Sequence, residues 1–202
     1  MPSSADASTD GSRTPSAEPQ FAVESGTLSV TQDGRKVPIA HEVDGFWPIP
    51  IDEHPDGDHR VTRAVTFARA DGAGGYENEG QSLYLWAPGD KESRKLMAEY
   101  FQIERVESLA ARSGRTVLLI VMKDGGLGAT HVAFADPERG ELFRADGADV
   151  MQRAEGSVRI GWFRDEDWER LEQDAAVRPL RTERLDLDAV LRRPVMHNPR
   201  QP

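Results

Sequence analysis

The densest group of ionisable side chains lies at positions 52–59, where DEHPDGDH places four carboxylates and two imidazoles within eight residues. Such a segment offers the oxygen ligands that Ca²⁺ prefers and the nitrogen ligands that transition metals prefer. The spacing matches neither a calcium-binding loop nor the His-Glu-x-x-His motif. A solvated acidic loop is therefore the favoured interpretation, and a metal site is the alternative. The candidate metal ligands are His54, Asp56, Asp58 and His59.

A second candidate is the glycine-rich turn at positions 125–128, which follows Lys123 and precedes His131. Backbone amides in such a turn can bind an anion and a lysine adds positive charge, so Lys123 and Gly126 are candidate ligand-binding residues. The turn joins two predicted strands and lacks a phosphate-loop motif, so hairpin geometry alone also explains its glycines. His131 is a candidate general base, although a histidine within a strand is more often structural.

The loop DGAGGYENEG at positions 71–80 holds a further acid–base candidate, Glu77, which could form a carboxylate pair with Glu79. An ordinary surface loop has the same composition, and this is the favoured interpretation. The nucleophile motif Gly-x-Ser-x-Gly is absent from the sequence. The acid–base candidates therefore come without a recognisable nucleophile.

Three apolar residues, Phe46, Trp47 and Ile49, lie in a proline-broken segment and are the best candidates for binding a partner. If they are exposed, they form the kind of apolar patch that marks partner surfaces. If they are buried, they complete the core beside a hairpin, which is the more common outcome for Trp and Phe.

Composition excludes several classes of protein. The chain has no cysteine, which rules out disulfides, thiolate metal sites and a cysteine nucleophile. A net charge of −10 and a pI near 5.0 argue against nucleic acid as a partner, because phosphate binding needs clustered cations. Only four of the 25 basic residues are lysines. The acidic, lysine-poor composition is halophile-like, and a GC-rich genome would explain the arginine bias equally well.

The sequence predicts one folded domain at 21–192 between a disordered tail at 1–20 and a flexible tail at 193–202. The first twenty residues lack the apolar run of a signal peptide, and the longest apolar run, at 117–122, is too short to span a membrane. We therefore expect a soluble, cytoplasmic protein that does not bind membranes.

Periodicity predicts the elements that position these side chains. Alternating apolar residues around Asp33-Gly34 predict a hairpin that pairs Val30 with Val37 and Leu28 with Ile39. Positions 44–59 read as an extended loop, and apolar residues at steps of three and four predict the main helix at about 91–112. Further strands are expected at 61–67, 82–86, 117–122, 131–135, 141–144, 158–163 and 177–180. A short helix capped by Asp165 and another at 185–191 complete the pattern.

These elements predict an α+β fold in which a mostly antiparallel sheet carries one main helix on a face and short helices at the C-terminus. We interpret the protein as a protein-interaction or ligand-binding module without a cofactor, with self-association through a sheet edge or the Trp47 segment. The alternative is a small metal-assisted or acid–base hydrolase that uses the cluster at 52–59 or His131.

Overall fold

The computed structural model of the chain describes residues 20–32, 34–41, 46–53, 65–71, 80–86, 94–99, 102–124, 128–173 and 177–196. Most of these residues form fourteen β-strands in three sheets, and two short α-helices follow near the C-terminus. The strands are β1 (Gln20–Glu24), β2 (Thr27–Gln32), β3 (Arg35–His41), β4 (Phe46–Glu53), β5 (Val65–Asp71), β6 (Gly80–Trp86), β7 (Arg94–Glu99), β8 (Gln102–Ala110), β9 (Thr116–Lys123), β10 (Thr130–Asp136), β11 (Gly140–Ala145), β12 (Ala148–Ala154), β13 (Ser157–Trp162) and β14 (Arg181–Asp186).

The first sheet has the order β1-β2-β3 and contains the predicted hairpin. Val30 pairs with Val37 as predicted. Beyond that pair a bulge places Leu28 opposite Ala40 instead of Ile39. Leu28, Val30 and Ile39 are nevertheless buried together, so the predicted apolar face is correct. Strand β1, which the sequence pattern did not predict, forms the other edge of this sheet.

The second sheet has eight strands in the order β11-β10-β9-β8-β4-β5-β6-β7. Strand β4 falls within the predicted loop at 44–59, so that prediction is wrong. This strand pairs antiparallel with β5 as far as Pro50 and parallel with β8 from Ile51 onward. Pro48 and Pro50 are two residues apart, so both nitrogens point to the same side of the strand. The strand tolerates them because, among the described strands, Phe46–Pro50 pairs on one side only.

The main helix predicted at about 91–112 does not exist, because the described residues there form β7 and β8. A bulge in β8 between Ile103 and Arg105 sets Ile103 and Val106 on the same face, three residues apart. Leu109, three residues further, is buried on the opposite face. Burial on two faces combined with a bulge therefore reproduces the apolar spacing of a helix.

The predicted α+β fold with a main helix on a sheet is accordingly wrong. The described residues form mostly antiparallel β-sheets, and the helices are limited to α1 (Trp168–Gln173) and α2 (Leu187–Leu191). Both helices lie near the C-terminus, where short helices were expected. The parallel contact between β4 and β8 is confined to three residue pairs.

Strands β9 and β10 lie at the centre of the molecule and are covered on both faces. On one face, residues of β8–β11 pack against the third sheet, of order β12-β13-β14, and against α2. On the other face, Leu83, Leu96 and Met97 of β6 and β7 cover the alternate residues of β8, β9 and β10. The prediction of a doubly covered central strand at 117–122 is confirmed. A side chain on β10 is therefore excluded from water unless it lies at the end of the strand.

The C-terminal region differs from its prediction in two details. The strand expected at 177–180 is absent from that segment, and β14 begins at Arg181 instead. A single turn of 3₁₀-helix at Asp165–Asp167 precedes α1, and the residue at its cap, Arg164, makes no side-chain capping bond. Asp186 does cap α2, because its carboxylate accepts a bond from the Ala189 amide at 2.9 Å.

Within the part of the chain that the structure describes, no helix has the length and apolar content needed to cross a membrane. The predicted domain limits at 21–192 stay a prediction.

Candidate functional site

His131 is the second residue of β10, and the pairing of its neighbours determines which side chains surround it. His131 lies opposite Met122 of β9, and two residues beyond Met122 that strand gives way to Asp124. On the other side, Val132 pairs with Ala145, the last residue of β11. Asp146 therefore follows β11 beside His131. The two hairpins thus place one aspartate on each side of the imidazole.

The imidazole of His131 is nearly enclosed, with 7% of its side chain exposed. Its Nδ1 lies 3.3 Å from an oxygen of Asp146, and its Nε2 lies 3.6 Å from an oxygen of Asp124. The Gly147 amide donates a bond of 3.4 Å to Nδ1, which requires a lone pair on that nitrogen. With that bond in place, the ring proton is on Nε2 and faces Asp124.

An open cavity of about 500 Å³ lies beside this histidine, at the end of β10 where β13 and β14 meet. Three carboxylates line it, those of Asp124, Asp146 and Asp165. Asp124 and Asp146 have 46% and 65% of their side chains exposed, so both are accessible to a ligand. Arg181 is the cationic side chain among the described lining residues.

Two aromatic residues, Trp162 and Phe163, make up the aromatic wall of the cavity. The guanidinium of Arg181 stacks 3.8 Å from the centroid of the Trp162 ring, which is the geometry of a cation–π contact. Phe163 packs edge-on against Trp168 with the ring centroids 5.3 Å apart. The wall is thus held in place by contacts from β14 and α1, and it already accommodates one guanidinium group.

Glu141 on β11 is a buried carboxylate whose pKa depends on the charge of Asp146, a residue of the cavity lining. Burial, and to a smaller extent the charge of Asp146, raises the pKa of Glu141 to about 7. Arg144 opposes that rise, because its guanidinium donates bonds of 2.7 and 2.9 Å to the two oxygens of Glu141. Asp146 therefore links the cavity electrostatically to a group that titrates near neutral pH.

Among the predicted site residues whose side chains the structure describes, His131 alone lines this cavity. Lys123 is half-buried at the end of β9, where its ammonium lies 3.5 Å from a carboxylate oxygen of Glu104. Phe46, Trp47 and Ile49 belong to β4, for which the structure describes the backbone but not the side chains. The prediction that they bind a partner stays a prediction.

The remaining predicted site residues lie outside the described residues: Gly126, Glu77, His54, Asp56, Asp58 and His59. In the described part of the chain, no group of three or more His, Asp or Glu side chains is arranged to hold a metal ion. The anion-binding turn, the carboxylate pair and the metal site at 52–59 stay predictions.

Sequence reasoning missed Asp146, Trp162, Phe163, Asp165 and Arg181 as site residues. The dipeptide Asp146-Gly147 is a turn signal. If the strands on either side of the predicted turn at 136–140 are paired residue by residue away from the turn, Asp146 comes close to His131. A bulge in this hairpin between Phe134 and Ala135 shifts that count by one residue. The aromatic wall gives no such signal, because it comes from strands of a different sheet.

Three comparisons with known proteins complete this description. Neither a protein-family model, nor a curated protein, nor a solved structure matches this chain.

Proposed function

We propose that this protein is a ligand-binding module whose cavity beside His131 binds a small organic cation, such as an amine or a guanidinium group. The observation that carries the proposal is the charge of the lining. Among the described lining residues there are three aspartates and one arginine, and that arginine already stacks on Trp162. Carboxylates at this density favour a positively charged ligand, since a charge-assisted hydrogen bond is about twice as strong as a neutral one.

The aromatic residues of the cavity lining support a ligand with a flat cationic end. Aromatic faces attract cations through their quadrupole, and Trp gives the strongest effect of the three aromatic side chains. The Arg181 guanidinium already occupies one face of the Trp162 ring at 3.8 Å, so a ligand that contacts this ring displaces Arg181 or binds the other face. The net charge of −10 further favours cations at long range and raises their concentration near the surface.

An acid–base hydrolase is the second proposal, and the pairing of His131 with Asp146 supports it. A carboxylate 3.3 Å from Nδ1 can orient a catalytic imidazole only when Nδ1 carries the proton, which is the tautomer opposite to the one that the Gly147 amide favours. In addition, Nε2 is buried, so the nitrogen that would exchange a proton with a substrate does not face the solvent. Loss of hydrolysis of simple ester and phosphoester substrates in His131→Asn would support this activity, and no hydrolysis by the wild type would contradict it.

The binding proposal is tested by calorimetric titration with agmatine, which carries an amine and a guanidinium, and with glutarate as an anion of similar length. We expect saturable agmatine binding with a Kd of about 1 mM or tighter, which is reasonable for a ligand of this size. Glutarate should not bind. Asp146→Asn should weaken agmatine binding about five- to tenfold, because it removes one charge from the cavity.

The matched control is Glu155→Gln, which removes one carboxylate from an exposed turn between β12 and β13, outside the lining of this cavity. It should leave the agmatine Kd unchanged. Equal weakening in both variants would mean that agmatine responds only to the overall charge, and the proposal would then be wrong.

The predictions that the protein acts without a cofactor, does not bind nucleic acid and resides in the cytoplasm are retained as proposals. They are based on the composition and charge of the sequence.

A further inference from the structure

Strand β14 lies at the edge of the third sheet, and its residues 181–184 are all exposed. Among the described strands it has a ladder partner on one side only, β13. Two other edges are protected. The Met196 amide donates to the Glu141 carbonyl at the edge of β11, and Pro38 removes a donor from the edge strand β3. An exposed edge strand of this kind can pair with another strand.

The ladder with β13 determines which backbone groups of β14 point outward. The Leu187 amide donates to the Gly156 carbonyl at 2.9 Å, just beyond the end of β14. In an antiparallel ladder, the groups that face the partner strand belong to alternate residues. The backbone N–H and C=O groups of Leu185, Glu183 and Arg181 therefore face β13. The groups of Thr182 and Arg184 point outward and can accept a second strand, whereas the Leu180 amide, just before β14, donates to the Trp162 carbonyl of β13 at 2.7 Å.

Of the two-fold axes that can be placed at the exposed residues 182, 183 and 184, one makes the sequence of β14 complementary to itself. With a two-fold axis at Thr182, Arg181 of each copy lies opposite Glu183 of the other, which gives two opposite-charge pairs. An axis at Glu183 would set two glutamates opposite each other. An axis at Arg184 would set two arginines opposite each other. Like charges in directly opposite positions destabilise a pair of strands.

We propose that β14 pairs antiparallel with β14 of a second copy around a two-fold axis at Thr182. The two three-stranded sheets then form one continuous six-stranded sheet across the dimer. This is an isologous interface, in which the same strand contributes from both copies. It rests on the edge strand and its charges, and it does not depend on whether the cavity binds a cation.

The test is sedimentation equilibrium of the full chain at low salt, with a charge reversal and its rescue. Glu183→Arg sets two arginines against each other across the axis and should raise the dimer dissociation constant at least about tenfold. Arg181→Glu combined with Glu183→Arg exchanges the two charges and should restore dimerisation. Glu155→Arg makes the same charge change at an exposed turn beside the C-terminal end of β14, outside the Arg181–Glu183 contact, and should leave the dimer unaffected.

Thermal unfolding of each variant establishes that it is folded, which is expected because residue 183 is exposed. A monomeric wild type, or a dimer that Glu183→Arg does not weaken, would overturn the proposal. So would a double variant that stays monomeric, because the charge pairs would then not be the contact. Failure of agmatine binding alone would leave the dimer intact, so the two proposals can be contradicted separately.

Discussion

Glu107 and Glu141 are two buried glutamates whose surroundings shift their pKa values in opposite directions. Burial acts to raise the pKa of Glu107, but hydrogen bonds and charges from Arg153 and Arg105 exceed that effect, and the pKa lies below its ordinary value. Glu141 is also bonded to an arginine, yet burial and the neighbouring Asp146 raise its pKa to about 7. The Glu107 carboxylate therefore crosslinks β8 to β12, and the pKa of Glu141 depends on the charge of Asp146 in the cavity lining.

We expect Glu107→Gln to lower the free energy of unfolding by about 2 kcal/mol at neutral pH, because it removes a charged acceptor from the Arg153 guanidinium. The measurement is urea unfolding. Glu104→Gln, which removes the partner of Lys123 from a more exposed position on the same strand, should cost less than about 1 kcal/mol. Equal losses in the two variants would contradict the structural role of Glu107.

The stabilisation that Glu107 provides through its arginine partners depends on pH in a defined direction. Because the folded pKa of Glu107 is depressed, its contribution to stability is present above its ordinary value of 4.5 and is lost as the pH falls through the lowered pKa. The difference in stability between the wild type and Glu107→Gln should therefore shrink on acidification.

Glu141 should show the opposite pH dependence. Its folded pKa is raised to about 7, so its contribution is complete below 4.5 and is lost as the pH rises through about 7. Carbon-13 NMR titration of the carboxyl groups measures the pKa of Glu141 directly. Asp146→Asn should lower the pKa of Glu141, and Arg144→Gln should raise it further. A Glu141 that titrates near 4.5 in the wild type would contradict the account.

At the scale of elements, the sequence predicted the strands around Val30, the central strand β9 and the hairpin of β10 and β11. These strands have local turn signals or long apolar runs. It failed where bulges interrupt the alternation, as in β8, and where prolines fall in a part of a strand that pairs on one side, as at Phe46–Pro50 of β4. Both failures have one physical cause, because tertiary pairing overrides the local pattern. The strand β1 was missed although the turn dipeptide Ser25-Gly26, with both residues at positive φ, joins it to β2.

Helix α2 provides a local test of the C-terminal structure. Asp186→Ala removes the carboxylate that accepts from the Ala189 amide and should destabilise the protein by about 1 kcal/mol. Asp188→Ala changes an acidic residue in the first turn of the same helix that does not occupy the cap position. Its cost should be only a few tenths of a kcal/mol. Thermal or urea unfolding of both variants distinguishes capping from general charge, and equal costs would contradict the cap.

At the scale of the whole molecule, the candidate site is assembled from the β9–β10 and β10–β11 hairpins of one sheet and from the antiparallel pair β13–β14 of another. His131 was identified from the sequence because its residue type is informative by itself. Trp162 and Arg181 were not, because their position beside His131 depends on how the third sheet packs against β10. The His131 side of the site could therefore be predicted from the sequence, and the side with Trp162 and Arg181 required the tertiary structure.

The central claim is that the cavity beside His131 binds an organic cation, and NMR titration of nitrogen-15-labelled protein with agmatine tests it most directly. We predict saturable shifts of the Gly147 amide and the Trp162 indole, both of which belong to the cavity lining. Asp146→Asn should weaken these shifts, and Glu155→Gln should leave them unchanged. Agmatine that produces no shift at these two groups, or equal shifts across the acidic surface, would contradict the account.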